Sequence, residues 1–129
     1  MSYHRSIAIE FCHCDPAGIV FYPRYAEMVN SVVENFMADE VGYPFSQMIA
    51  EGFGMPTARL EVDFRKPSRL GDRLDWHLRI EHLGRTSARF LLTADDRIEA
   101  RPTVVWMDRD FRPAPWPTHI RPRFEAHHA

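Results

Sequence analysis

Lysine is almost missing from this chain: Lys66 is the only one in 129 residues, and the rest of the positive charge is arginine. Arginine's planar fork suits phosphate and carboxylate, but codon bias produces the same excess, so the count alone assigns no ligand. Net charge is also small, −2 with histidine neutral, and does not call for nucleic acid or an anionic membrane as partner. Cysteine is scarce as well. Cys12 and Cys14 are too close in sequence for an ordinary disulfide, and no further cysteine completes a zinc box with His13, so no metal is expected. No apolar run approaches the length of a membrane span, and the first eleven residues lack the apolar core of a signal peptide, which predicts a cytoplasmic protein. Repeats and low-complexity runs are absent. The length accommodates one domain, residues 1–129, large enough to bury a core of its own.

What is present is a run of regular patterns. Ile7, Ile9 and Phe11 alternate with Ala8 and Glu10, predicting a half-buried strand over Ser6 to Phe11. Tyr25, Met28, Val29, Val32, Val33, Phe36 and Met37 recur at helical spacing, predicting one long helix that opens at Pro23 and stops at Gly42. A short helix follows from Pro44 to about Glu51. Three alternating stretches then read as antiparallel strands: Ala58 to Phe64, Leu74 to Ile80, and Ala88 to Leu92. Turn signals lie between them at Pro67 to Asp72 and Gly84 to Thr86, with another at Asp95-Asp96. A last strand runs through Val104, Val105 and Trp106. Because Pro102 cannot donate to a ladder, a bulge, an edge position or a start near Thr103 is expected there. The proline-rich end predicts an extended surface tail closing in one helical turn, with His127 and His128 in solvent.

The chemistry concentrates between Cys12 and Pro23. Asp15 precedes Pro16 and so stays out of the helical region, while Gly18 permits a backbone geometry closed to other residues. Such a loop aims a carboxylate just ahead of a helix N-terminus, where unpaired N–H groups stabilise an oxyanion. This pairing suits acyl transfer: Asp15 attacks a carbonyl carbon or activates water, and N–H groups near Tyr22 and Arg24 hold the oxygen that becomes negative. The competing reading is an aspartate that only caps a turn. His13, two residues earlier, is placed either to orient the acid and assist leaving-group protonation or simply to bond the backbone. Glu27 and Glu34 on the helix rank below Asp15, since neither follows a loop signature.

The string Asp15-Pro16-Ala17-Gly18-Ile19-Val20-Phe21-Tyr22-Pro23-Arg24-Tyr25 resembles the signature of the 4-hydroxybenzoyl-CoA thioesterase family. A looser resemblance runs through Asp63-Phe64-Arg65-Lys66-Pro67 and Gly71-Asp72 to Leu83-Gly84-Arg85-Thr86-Ser87. The resemblance implies an α+β hot-dog fold, a five-stranded antiparallel sheet wrapped around one long helix. It places Asp15 at the catalytic carboxylate and the Tyr22 N–H at the carbonyl-polarising position. By the same resemblance the substrate is an acyl-CoA, with an aryl thioester such as 4-hydroxybenzoyl-CoA preferred, and no separate cofactor is needed because coenzyme A is part of the substrate. Arg85, Thr86 and Ser87 in the hairpin, with Lys66, are the candidates for coenzyme A contacts. A homodimer with its active sites at the subunit interface is also implied, and such dimers often pair into tetramers. The alternatives are an aliphatic acyl-CoA thioesterase and a non-catalytic acyl-CoA sensor. An enoyl-CoA hydratase would need an Asp and His arrangement that this sequence lacks.

Overall fold

The computed structural model describes residues 2–128. Five strands form one antiparallel sheet in the order β1-β3-β4-β5-β2: β1 is Tyr3–Ala8, β2 Thr57–Phe64, β3 Arg73–Leu83, β4 Ser87–Ala94 and β5 Ile98–Val105. Helix α1, Pro23–Phe36, lies in the concave face, and its apolar stripe from Tyr25 to Phe36 is buried as the spacing predicts. A wider π turn, Met37–Val41, carries the chain on to Gly42, whose φ of +75° ends the helix in the left-handed region glycine favours. The short helix α2 spans Phe45–Ala50, and Pro44 caps it. Leu74, Trp76, Leu78 and Ile80 of β3 and Ala88, Phe90 and Leu92 of β4 complete the core against the helix. Among the described residues no helix is long and apolar enough to cross a membrane.

Three expectations need correction. The first strand ends at Ala8, and Phe11 stands 81% exposed in a 3-10 turn, Phe11–His13, instead of facing the core. The chain leaves the sheet there because Ile9 exchanges backbone bonds with the β2–β3 turn: its N–H reaches the Asp72 carbonyl at 2.7 Å, and its carbonyl accepts from Gly71 at 3.0 Å. The last strand begins at Ile98, not near Thr103, and Pro102 sits inside it in an interior position. The sheet tolerates the proline because the β4–β5 register skips from Leu92↔Ala100 to Arg89↔Thr103, while β2 still pairs past it at Leu60↔Pro102. The one register shift in the β2–β5 pairing lies between Thr57 and Arg59, opposite Val104 and Thr103, so the bulge expected at Pro102 itself is not formed.

The proline-rich end is no mere surface tail. It runs extended and then forms helix α3, Arg121–Glu125, but it buries Trp116, Ile120 and Phe124. His127 is buried too. Its ring meets Phe36 edge-on at 5.0 Å, and its Nε2 lies 3.6 Å from Glu40. Only His128 of that pair is exposed. Strand β2 forms where the alternation predicts it, with Leu60 and Phe64 41% and 53% exposed. This strand is a sheet edge with an uncovered apolar side.

Candidate active site

The loop from Cys14 to Val20 is a small hairpin pinned to the β2–β3 turn. Cys14 bridges Val20, the Asp15 N–H donates to the Ile19 carbonyl at 3.0 Å, and Gly18 donates to the Asp15 carbonyl at 2.9 Å. Gly18 holds φ at +79°, the conformation the turn requires. The hairpin rests on the turn through the Val20 N–H to Ser68 at 2.9 Å and the Leu70 N–H to Gly18 at 3.1 Å. The turn is itself clamped by Asp72, whose Oδ2 accepts from the Arg69 N–H at 2.9 Å and from the Arg97 guanidinium at 2.8 Å. The Arg69 N–H, helped by Arg97, outweighs burial and holds the Asp72 carboxyl below its ordinary range. Asp72 is the support residue that the sequence pattern marked only as a turn.

Asp15 uses one carboxylate oxygen locally: Oδ1 accepts from the Ala17 N–H at 2.8 Å. That turn fixes the side chain and leaves Oδ2 without a protein partner among the described residues, so the capping reading accounts for one oxygen of the group and not the other. At the helix entry, the Phe21 N–H is spent on the His13 carbonyl and the Arg24 N–H on the Phe21 carbonyl, both at 2.9 Å. The expectation of a donor at Arg24 therefore fails. Tyr22 does not pair its backbone N–H with any described backbone carbonyl, and Pro23 has none to offer. One donor remains at the helix end, at Tyr22.

His13 turns away from this arrangement. Its Nδ1 accepts the Glu10 N–H at 2.9 Å, and the ring lines a depression between β1 and α1 with Glu10, Glu27 and Ser31. An Nδ1 that accepts carries its proton on Nε2 when the ring is neutral. The structure shows no hydrogen bond between His13 and Asp15. Glu27 is engaged by Arg24 at 2.6 Å.

A shallow apolar depression opens beside Tyr22, lined by Ile19, Val20, Tyr25, Phe64, Lys66 and Pro67 among others. Tyr22 and Tyr25 meet the Phe64 ring at 6.3 and 5.6 Å. Phe64, which the sequence pattern placed only in an alternating strand, belongs to this shelf, whereas Phe21 only packs edge-on against Tyr22 at 5.5 Å. Lys66 reaches the shelf but is paired with Asp96, and Arg65 with Glu99 at 2.6 Å. Arg85, Thr86 and Ser87 are not brought to Asp15. They sit in the β3–β4 hairpin at the end of the eleven-residue strand β3 opposite the β2–β3 turn on which the Asp15 loop rests; the strand itself is roughly 35 Å long at about 3.3 Å per residue. There Trp116 bonds the Arg85 carbonyl and the Ser87 carbonyl, while the Arg85 guanidinium forms no ion pair among the described residues.

The fold recurs in solved structures. The Dynemicin thioesterase superposes with a TM-score of 0.91 at 18% identity, covering 100% of this chain and 99% of that one. The BH1999 gentisyl-coenzyme A thioesterase gives 0.83 at 25% identity, over 97% and 99%. Slr0204, a 1,4-dihydroxy-2-naphthoyl-CoA thioesterase from Synechocystis, gives 0.84 at 19% identity, over 96% of each. In sequence, the chain is 28% identical over 116 residues to the chloroplastic acyl-acyl carrier protein thioesterase ATL2 of Arabidopsis thaliana. That match takes in 85% of this chain, which spans 61% of that relative's length. The sequence profile of the thioesterase-like superfamily matches residues 9–124, from the end of β1 into α3. With its five-stranded antiparallel sheet wrapped around α1, this chain has the hot-dog fold and belongs to the thioesterase-like superfamily.

Proposed function

We propose that the protein hydrolyses an acyl thioester to the free acid and a thiol, with coenzyme A as the thiol carrier. The observation that carries this reading is the pairing of a carboxylate oxygen of Asp15, unbonded within the protein, with the unspent Tyr22 N–H at the positive end of α1. The ionised carboxylate either takes a proton from water, whose oxygen then adds to the carbonyl carbon, or adds to that carbon itself and is released by water in a second step. In both routes the carbonyl oxygen gains negative charge beside the Tyr22 N–H, the C–S bond breaks, and the thiolate leaves and takes up a proton. His13 serves the loop through its Glu10 bond and takes no part in proton transfer.

The aromatic shelf supports an aryl thioester, 4-hydroxybenzoyl-CoA being the reference case. A flat ring on Tyr22 and Phe64 gains about 0.5–1.5 kcal/mol beyond area burial. A second reading, an aliphatic acyl group, is favoured by a different feature: an apolar groove of ≈ 230 Å³ between α1 and β2, lined by Val29, Val33, Phe45, Met55 and Leu60. Comparing kcat/KM for 4-hydroxybenzoyl-CoA, benzoyl-CoA and hexanoyl-CoA separates the two. The aryl substrates are expected to lead. A clear lead for hexanoyl-CoA overturns the aromatic preference, and binding of all three without hydrolysis makes the protein an acyl-CoA sensor.

The active molecule in this reading is a homodimer. Along β2, Phe64 lies at the Asp15 end of the sheet and Thr57 at the hairpin end, since Phe64 pairs with Ile98 and Thr57 with Val104, beside Ser87. Antiparallel pairing of two β2 edges about a two-fold axis sets the hairpin end of one copy beside the Asp15 end of the other. Arg85 of one subunit then reaches the coenzyme A phosphates at the other's Asp15. Dimers pairing into a tetramer are a further step of the same proposal.

A further inference from the structure

On the convex face of the sheet, away from α1, His4 of β1 stands directly opposite His77 of β3 in the antiparallel register. Their ring centroids are 4.0 Å apart. Asp75, two residues before His77 and therefore on the same face, places Oδ2 3.3 Å from His77 Nε2. One donor atom from each of the three residues lies within 4.8 Å of the other two. We propose that His4, Asp75 and His77 form a surface site for a divalent transition-metal ion of the kind that prefers imidazole, such as Zn²⁺.

The geometry fits that chemistry. Ligand bonds of about 2.0–2.1 Å in a tetrahedron set neighbouring donors roughly 3.3 Å apart, the separation already present between Asp75 and His77. His4 and Asp75 are exposed, so small side-chain rotations close the remaining gap without disturbing the core. The backbones are fixed by strand pairing, so the ion meets ligands whose Cα positions are already set. Three protein ligands leave the fourth position to solvent. His77 also lines a hollow with Ser2, Arg79, Leu91, Thr93 and Asp95 on this side of the sheet. The sequence hides the site because its ligands come from opposite ends of the first three strands, and only the β1–β3 register joins them. It is distinct from Asp15 and Tyr22, which lie on the loop before α1.

A bound ion also cross-links an edge strand to the sheet, so binding is read twice. Titration of the chelator-treated full-length protein with ZnCl2 in a calorimeter is expected to show one ion per chain, and Tm is expected to rise with Zn²⁺ and then saturate. His4→Gln and His77→Gln should each weaken binding at least about tenfold and abolish the Tm rise. Cys12→Ser should leave both intact, which separates this site from Glu10, Cys12 and His13, the other cluster of suitable donors. Absence of saturable binding, binding indifferent to His77→Gln, or binding lost in Cys12→Ser overturns the proposal.

Discussion

At the scale of single residues, the loop is where sequence and structure agree most closely. The turn at Asp15 and the helix start after Tyr22 were legible because Asp-Pro, a glycine and a helix-opening proline each dictate backbone geometry locally. His13 takes the backbone-bonded role that was one of its two readings, accepting the Glu10 N–H. That the Arg24 N–H is consumed by the Phe21 carbonyl was not legible, because it depends on how the loop meets the helix. Gly18 tests the loop directly. A Cβ at Gly18 would meet nothing within 4 Å, so Gly18→Ala introduces no clash and costs only the left-handed backbone, about 1–2 kcal/mol. Because that strain falls on the hairpin that aims Asp15, kcat should drop by a larger factor than the modest Tm change alone would suggest. Steady-state kinetics and thermal melts of the variant check this.

At the scale of elements, the helix stripe and the strand alternation transferred almost unchanged, since periodicity reports which face is buried. Alternation could not show that β2 lies at an edge, nor that the proline-rich end returns to the core. Both follow from strand order and long-range packing. Phe36 joins these elements, touching Tyr3, Phe90 and Phe124 at 5.8 to 6.0 Å. Phe36→Ala should cost about 3–5 kcal/mol, measurable by urea denaturation. The convex face carries an ion ladder in which Glu81 bonds Arg89 and Arg101, and Glu99 bonds Arg101 and Arg65. Burial pushes the Glu81 carboxyl up, but the two guanidiniums win and bring it below its ordinary value. The Arg65 hydrogen bond does the same for Glu99. Both carboxyls bind protons less readily folded than unfolded, so this stabilisation is full above about pH 5 and fades as pH falls through their lower folded values. Tm measured from pH 6 down to 3 should fall, and less steeply in high salt, because the pairs are partly exposed and screened.

At the scale of the whole molecule, the separation of Asp15 from Arg85 along β3 means that Arg85 can serve the proposed site only across a dimer. The resemblance marks both segments in sequence, but a one-dimensional pattern cannot show that they lie toward opposite ends of β3. Leu60→Asp, placing charge at the exposed β2 edge, should shift the protein toward monomer in light scattering and raise KM for the thioester. Co-folding Asp15→Asn with Arg85→Ala subunits should restore a KM and turnover that neither parent shows, since one mixed site then has both groups intact. The measurement that bears most directly on the account is turnover of 4-hydroxybenzoyl-CoA by the native protein and by Asp15→Asn, with Tm recorded for each. Asparagine retains the oxygen that accepts from Ala17, so the loop should stay folded. The account predicts hydrolysis by the native protein and a kcat at least about a hundredfold lower in the variant, at nearly unchanged Tm. Turnover by a folded Asp15→Asn protein equal to that of the native one would contradict it.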